Sequence, residues 1–238
     1  MSGSMLLATL AQASPYHDFT DKLDGLLKDH TAPTKAEGVT FQGVNYTAWG
    51  KDSRHAEALA AVQKVDIESL SKTEQKTFWI NAYNFLTVDL ITREGETKSI
   101  RNLGGILGNP WGKFKWKING TKYTLNHIEH KILRKTGDER IHFAINCASI
   151  SCPDLLGEAY RASTLDAQLA AQEKVALNDI TKGVKIEGNV VTISKIYSWF
   201  DDDFNNGDIA GWLKDHIDDF PANANIKNFK YNWNLNKL

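Results

Sequence analysis

The stretch Phe78-Trp79-Ile80-Asn81-Ala82-Tyr83-Asn84-Phe85-Leu86-Thr87-Val88-Asp89-Leu90-Ile91 decides how this chain must fold. Its apolar residues fall almost all round a helical wheel, so the helix they form is buried on several sides instead of lying amphipathic on a surface. A start signal stands just upstream, where Ser71 and Glu74 have the spacing of a capping box. Asn81 and Asn84 are three apart and share a face of this helix. A buried amide without partners costs about 1–3 kcal/mol, so something must bond them. The partner is either the backbone of a neighbouring loop, or a substrate or catalytic side chain.

Working outward, Phe19, Leu23, Leu26 and Leu27 repeat with helical spacing up to His30, and Thr31 to Gly38 breaks the pattern with Pro33. Val39 to Trp49 alternates weakly, as a short strand would, and a helix follows over about Arg54 to Val65. Gly104 to Trp111 is rich in glycine but lacks the Lys-Ser/Thr ending of a phosphate cradle, so nucleotide binding is not expected. Phe114, Trp116 and Ile118 alternate up to Asn119-Gly120, and Tyr123 and Leu125 return, which predicts a hairpin because that dipeptide accepts positive φ. Asn126 is expected to cap the next helix, whose buried stripe is Ile128, Ile132 and Leu133 and which closes at Gly137.

Ile141 to Ala148 is a continuous apolar run that reads as a central strand, and Ser151 to Pro153 as a helix start. Leu165 to Leu177 is helical, Val184 to Ile193 is a second hairpin around Glu187-Gly188-Asn189, and Ile209 to Ile217 is the last helix. The interleaving is irregular, which gives an α+β class: several helices packed on a mixed, mainly antiparallel sheet with two hairpins.

The chain has 238 residues and a formal charge of -1, with no basic stripe, so nucleic acid is not an expected partner. Seven Trp, seven Tyr and ten Phe supply anchors for a core or for an aromatic-walled pocket. Met1 to Met5 reads as a cloning remnant, and Leu6 to Ala13, ending in Ala11-Gln12-Ala13, as the tail of a signal peptide too short to span a bilayer. Residues 14–238 then form one domain, periplasmic or secreted and without an integral membrane segment. In an oxidising compartment Cys147 and Cys152 can form a disulfide or stay free.

The chemistry-bearing residues gather near Cys147. It enters the Ser-rich turn Ala148-Ser149-Ile150-Ser151-Cys152, whose small residues admit a substrate and offer amide donors to an oxyanion. Glu129, His130 and His142 lie within eighteen residues upstream. A thiol needs a base and the base an orienting group, and these residues supply the set. On a regular strand His142 and Cys147 would point to opposite faces, which favours His130 as the base. A metal site built from His127, Glu129 and His130 is not expected, because successive side chains diverge around a helix. No cofactor is expected. The acidic run Asp201 to Asp208 resembles a calcium loop, yet its Gly and closing Glu are misplaced, so it reads as a solvated turn.

Three separated motifs, Phe78 to Asn84, Ile128-Glu129-His130 with Ile132-Leu133-Arg134, and His142 to Ser149 with Ser151-Cys152-Pro153, resemble the family named domain of unknown function 547. The likeness runs over about 71–204, and the closing Tyr231-Asn232-Trp233-Asn234-Leu235-Asn236 is similar too. The resemblance implies a kinship with papain-like or transglutaminase-like thiol enzymes and a core of that kind, with Cys147 attacking a peptide-type carbonyl. Both histidines precede the cysteine, which would require a permuted order. It singles out Asn81, Asn84, Glu129 and Cys147, and treats positions such as His130 and Cys152 as more variable.

The expected activity is that of a cysteine-dependent amide hydrolase or acyltransferase acting on a small peptide or a γ-glutamyl thiol compound such as glutathione. Cys147 is its nucleophile, His130 or His142 its base, and Glu129 the orienting acid. Asn81, Asn84, Ser149 and Cys152 are its candidate substrate-binding residues. Two alternatives stand beside it: a module that binds a small peptide-like ligand without turning it over, and a dithiol redox protein.

Overall fold

The computed structural model describes residues 14–105 and 109–238. The signal-like segment and the middle of the Gly-rich loop lie outside the described residues. Ser14 caps α1 (Pro15–His30) and Pro15 opens it, four residues before the apolar repeat shows. The expected break that follows is instead a strand: β1 (Thr31–Ala36) pairs antiparallel with β2 (Val39–Val44). Glu37 and Gly38 make the turn with φ of 51° and 80°. Pro33 disguised this strand in the sequence, although a proline is tolerated on an edge where its missing donor faces outward.

Two short helices, α2 (Tyr46–Lys51) and α3 (Ser53–Val62), lead to α4 (Lys72–Glu94), which is the axis of the molecule. Both halves of its capping box form, every residue from Thr77 to Ile91 is buried, and Gly95 ends it with φ of 64°. Around α4 pack α1, α2 and the turns that carry Glu129 and Cys147, forming the larger hydrophobic core. Past α5 (Pro110–Lys113), β3 (Trp116–Ile118) and β4 (Thr121–Tyr123) make the expected hairpin. Asn119 and Gly120 take φ of 44° and 83° there.

The next helix departs from expectation at its start. Thr124, not Asn126, caps α6 (Leu125–His127), and the chain then widens into a π turn over Ile128–Leu133. Such turns are rare and cluster at functional sites. Ile141 to Ala148 is not a strand: α7 (Ile141–Ala144) is a single helical turn, after which the chain runs extended into the Cys147 turn. An apolar run is equally compatible with a buried strand or a buried turn of helix, and among the described residues no strand lies alongside to pair with it. Nor does a helix begin at Ser151; α8 spans Leu165–Asn178.

The C-terminal part forms a second, smaller core. β5 (Val184–Glu187) and β6 (Val190–Ile193) make a hairpin, β7 (Asn225–Asn228) adds in parallel to β6, and α9 (Lys195–Trp199) and α10 (Ile209–His216) cover them. Phe143, from α7, inserts into this core beside Tyr197, Phe204 and Trp212. The class is α+β, but among the described residues the strands lie in three small sheets instead of one, with three hairpins where two were expected. No helix among the described residues is long and apolar enough to cross a membrane.

Candidate functional site

A cleft with a cavity of about 160 Å³ opens where the two cores meet, and Glu129, His130, His142, Cys147 and Cys152 all line it. The π turn carries Glu129 and His130, α7 carries His142, and the extended run after α7 carries Cys147. Because α7 ends at Ala144, the alternation argument that set His142 and Cys147 on opposite faces does not apply.

The two histidines differ in the proton they hold. Asp203 Oδ2 lies 2.7 Å from His142 Nε2, and Arg134 also grips Asp203, its Nη2 donating to Oδ1 at 3.0 Å. Burial works against ionisation of Asp203, but the hydrogen bonds from Arg134 and His142 outweigh it and lower its pKa. An ionised carboxylate only accepts, so His142 Nε2 carries the proton and Nδ1 keeps its lone pair. Burial among Phe200, stacked 4.2 Å away, and Phe204 holds His142 down to about 4, overcoming the pull of Asp203, so the ring is neutral at neutral pH. His130 is arranged the other way. Arg134 Nη1 can only donate, and it sits 3.2 Å from His130 Nδ1. That fixes the proton of neutral His130 on Nε2, the form of a donor and not of a base.

Asp203, from the run expected to be a solvated turn, is thus the acid that orients His142. Glu129 has another partner: Tyr83 on α4 donates to its Oε2 at 3.0 Å. Burial raises the Glu129 carboxyl to about 7 against that bond and the nearby Arg134. It is a buried acid poised to exchange a proton near neutrality.

Cys147 and Cys152 are joined as a disulfide. Ser149 Oγ donates to the Tyr231 hydroxyl at 3.2 Å, and that hydroxyl stands 3.3 Å from Cys147 Sγ, a chain of donors ending on sulfur. Most of the turn's amides, expected to face an oxyanion, are spent inside the protein, and the bonds formed here include none from the Ser149 N–H. Cys147 N–H donates to Cys152 Sγ, Ala148 N–H to Asn146 Oδ1, and the N–H groups of Ile150 and Ser151 to the carbonyls of Asn234 and Asn232. Ala148 is held at φ of 60°, a conformation unusual for a residue with a Cβ.

Asn81 and Asn84 do not face the cleft. Asn81 makes a two-way amide pair with the Tyr160 backbone. Asn84 donates to the Ala144 carbonyl at 2.9 Å and accepts from Asn146 N–H at 2.8 Å. It therefore clamps the two ends of the segment that delivers Cys147. The far wall of the cleft is aromatic: Trp199, stacked on Trp233 with ring centroids 5.6 Å apart, meets Tyr231 at 4.7 Å. Tyr231 and Trp233 come from the C-terminal tail, which reaches the site by bonding to the Cys147 turn and to β2. Sequence reasoning assigned no role to Tyr83, Asp203, Trp199 or Tyr231. Tyr83 and Tyr231 stood inside quoted motifs, whereas Asp203 stood in an acidic run read as a solvated turn.

Residues 67–175 match the model of the family described as "Protein of unknown function, DUF547". The match supports the resemblance carried by the three motifs and covers Glu129, His130, His142 and both cysteines, while Asp203 and the aromatic tail lie beyond it. No curated protein and no solved structure matches the chain.

Proposed function

We propose that the chain is a cysteine-dependent amide hydrolase or acyltransferase for a small peptide or a γ-glutamyl thiol compound, working from the form in which the Cys147–Cys152 bond is reduced. The observation that carries the reading is the 2.7 Å bond between His142 Nε2 and Asp203, which leaves an unprotonated nitrogen on an imidazole that shares the cleft with Cys147. In this reading His142 Nδ1 takes the Cys147 proton, and the Tyr231 hydroxyl steadies the thiolate. The sulfur adds to the substrate carbonyl, and the leaving amine departs with the proton from His142. Water or a second amine, deprotonated by the same nitrogen, then releases the acyl group. A relationship to papain-like or transglutaminase-like enzymes, with the base before the nucleophile in the chain, belongs to this proposal.

The paired cysteines favour an oxidising, periplasmic or secreted setting. A thiol substrate resolves the tension with a reduced nucleophile. Two equivalents of it reduce the bond by exchange, leave as their own disulfide, and free the Cys147 thiol.

The internal bonds made by the Cys147, Ala148, Ile150 and Ser151 amides favour the second reading, a binding module that holds a small peptide-like ligand without turnover. Alkylation by iodoacetamide against pH on the reduced protein separates the two. The enzyme reading expects a thiolate forming below about pH 7, lost in Cys147→Ser and shifted up by one unit or more in His142→Gln and Asp203→Asn. An ordinary thiol near pH 8.5, indifferent to both substitutions, overturns it and leaves the binding module.

A further inference from the structure

Outside the lining of the cleft, Glu139, Glu173 and His216 bring one ligand atom each to within 4.8 Å of one another. They come from three separate segments: the turn before α7, the middle of α8 and the end of α10. Two features set this group apart from an ordinary patch of surface charge.

First, Glu173 Oε1 is fully buried and has no hydrogen-bond partner. A carboxylate oxygen shielded from water in that way is costly unless a cation or a donor meets it. His216 Nε2 stands 3.7 Å from it, too far for a hydrogen bond. Ligands about 2.0–2.1 Å from a tetrahedral zinc ion stand roughly 3.4 Å apart, close to this spacing.

Second, one residue outside the group orients two of its members. Trp212 Nε1 donates to Glu139 Oε1 at 3.1 Å, and the Trp212 carbonyl lies 2.7 Å from His216 Nδ1. A carbonyl only accepts, so Nδ1 carries a proton, and in the neutral ring Nε2 turns its lone pair toward Glu173. The indole is stacked 3.9 Å from the imidazole and holds the ring's plane. Histidines that ligate metals characteristically donate their other N–H to such a carbonyl.

We propose that Glu139, Glu173 and His216 form a binding site for a divalent transition-metal ion of the zinc class, tying α8 to α10. Two carboxylates and an imidazole suit such an ion, and a water completes four-coordination. The site shares no residue with the lining of the thiol cleft. It also differs from the His127, Glu129 and His130 set that the sequence allowed on paper.

The test is calorimetric titration of zinc chloride into the oxidised full-length protein, without reductant, so that neither cysteine competes. One ion is expected per chain, with micromolar or tighter affinity, weakened at least tenfold in Glu173→Gln and in His216→Ala. A tenfold excess of magnesium chloride is expected not to displace it, because magnesium prefers oxygen ligands. Zinc is also expected to raise the parent's thermal midpoint but not that of His216→Ala. If Glu173→Gln fails to fold, His216→Ala decides alone, since that side chain sits at the surface end of α10. Absence of zinc binding, or binding that His216→Ala leaves unchanged, overturns the proposal.

Discussion

Glu129 shows how one buried side chain can set both proton chemistry and pH response. Its carboxyl is held at about 7 by burial, against an ordinary value near 4.3 in the unfolded chain. Between those two values the folded state binds the extra proton, so the stability this group confers is full below about pH 4 and falls as pH rises. It is gone once pH has passed through the folded value. Glu129→Gln keeps the neutral shape and an acceptor for Tyr83. At pH 8 the variant is expected to exceed the parent by roughly 1–3 kcal/mol, and at pH 4 to lose that advantage, as read from urea midpoints. An equal difference at both pH values would show that Glu129 does not titrate in this way.

Among elements, α4 was readable from its own residues because the information is local: a capping box, an unbroken apolar surface and a closing glycine. Even the question its amides posed, what bonds Asn81 and Asn84, followed from chemistry alone. The answer did not, since backbone from Tyr160 and from Ala144–Asn146 supplies it. The 141–148 segment marks the opposite limit, an apolar run whose conformation depends on whether a strand lies alongside. Asn84→Ala leaves the Ala144 carbonyl and the Asn146 amide unpaired in the core, and is expected to cost roughly 2–4 kcal/mol in chemical denaturation. A loss under about 0.5 kcal/mol, the level of an ordinary surface change, would remove Asn84 from the clamp on the Cys147 segment.

At the scale of the whole molecule, the cleft exists because two cores share α7 and because the tail returns to bond the Cys147 turn. Reduction of the disulfide should leave that framework standing. Closing so short a loop, with a sequence separation of 5, stabilises by about 2 kcal/mol through the unfolded chain. Urea midpoints with and without reductant are expected to differ by that amount, and Cys152→Ser to match the reduced parent. Loss of the cooperative transition on reduction would instead make the bond a condition of folding, incompatible with a working reduced form.

The sequence by itself determined the helices with strong periodicity, the Asn119-Gly120 turn and the neighbourhood of Cys147, because propensity, capping and turn conformation are settled within a few residues. Tertiary structure alone decided which histidine can act as a base, since Asp203 meets His142 across 61 residues and holds its proton on Nε2, while Arg134 holds the proton of His130 on Nε2. It alone paired the cysteines, turned Asn84 away from the cleft and brought Trp199 and Tyr231 to its wall. Those outcomes depend on which surfaces the burial of α4 and Phe143 presses together. No pattern of spacing along the chain encodes that choice.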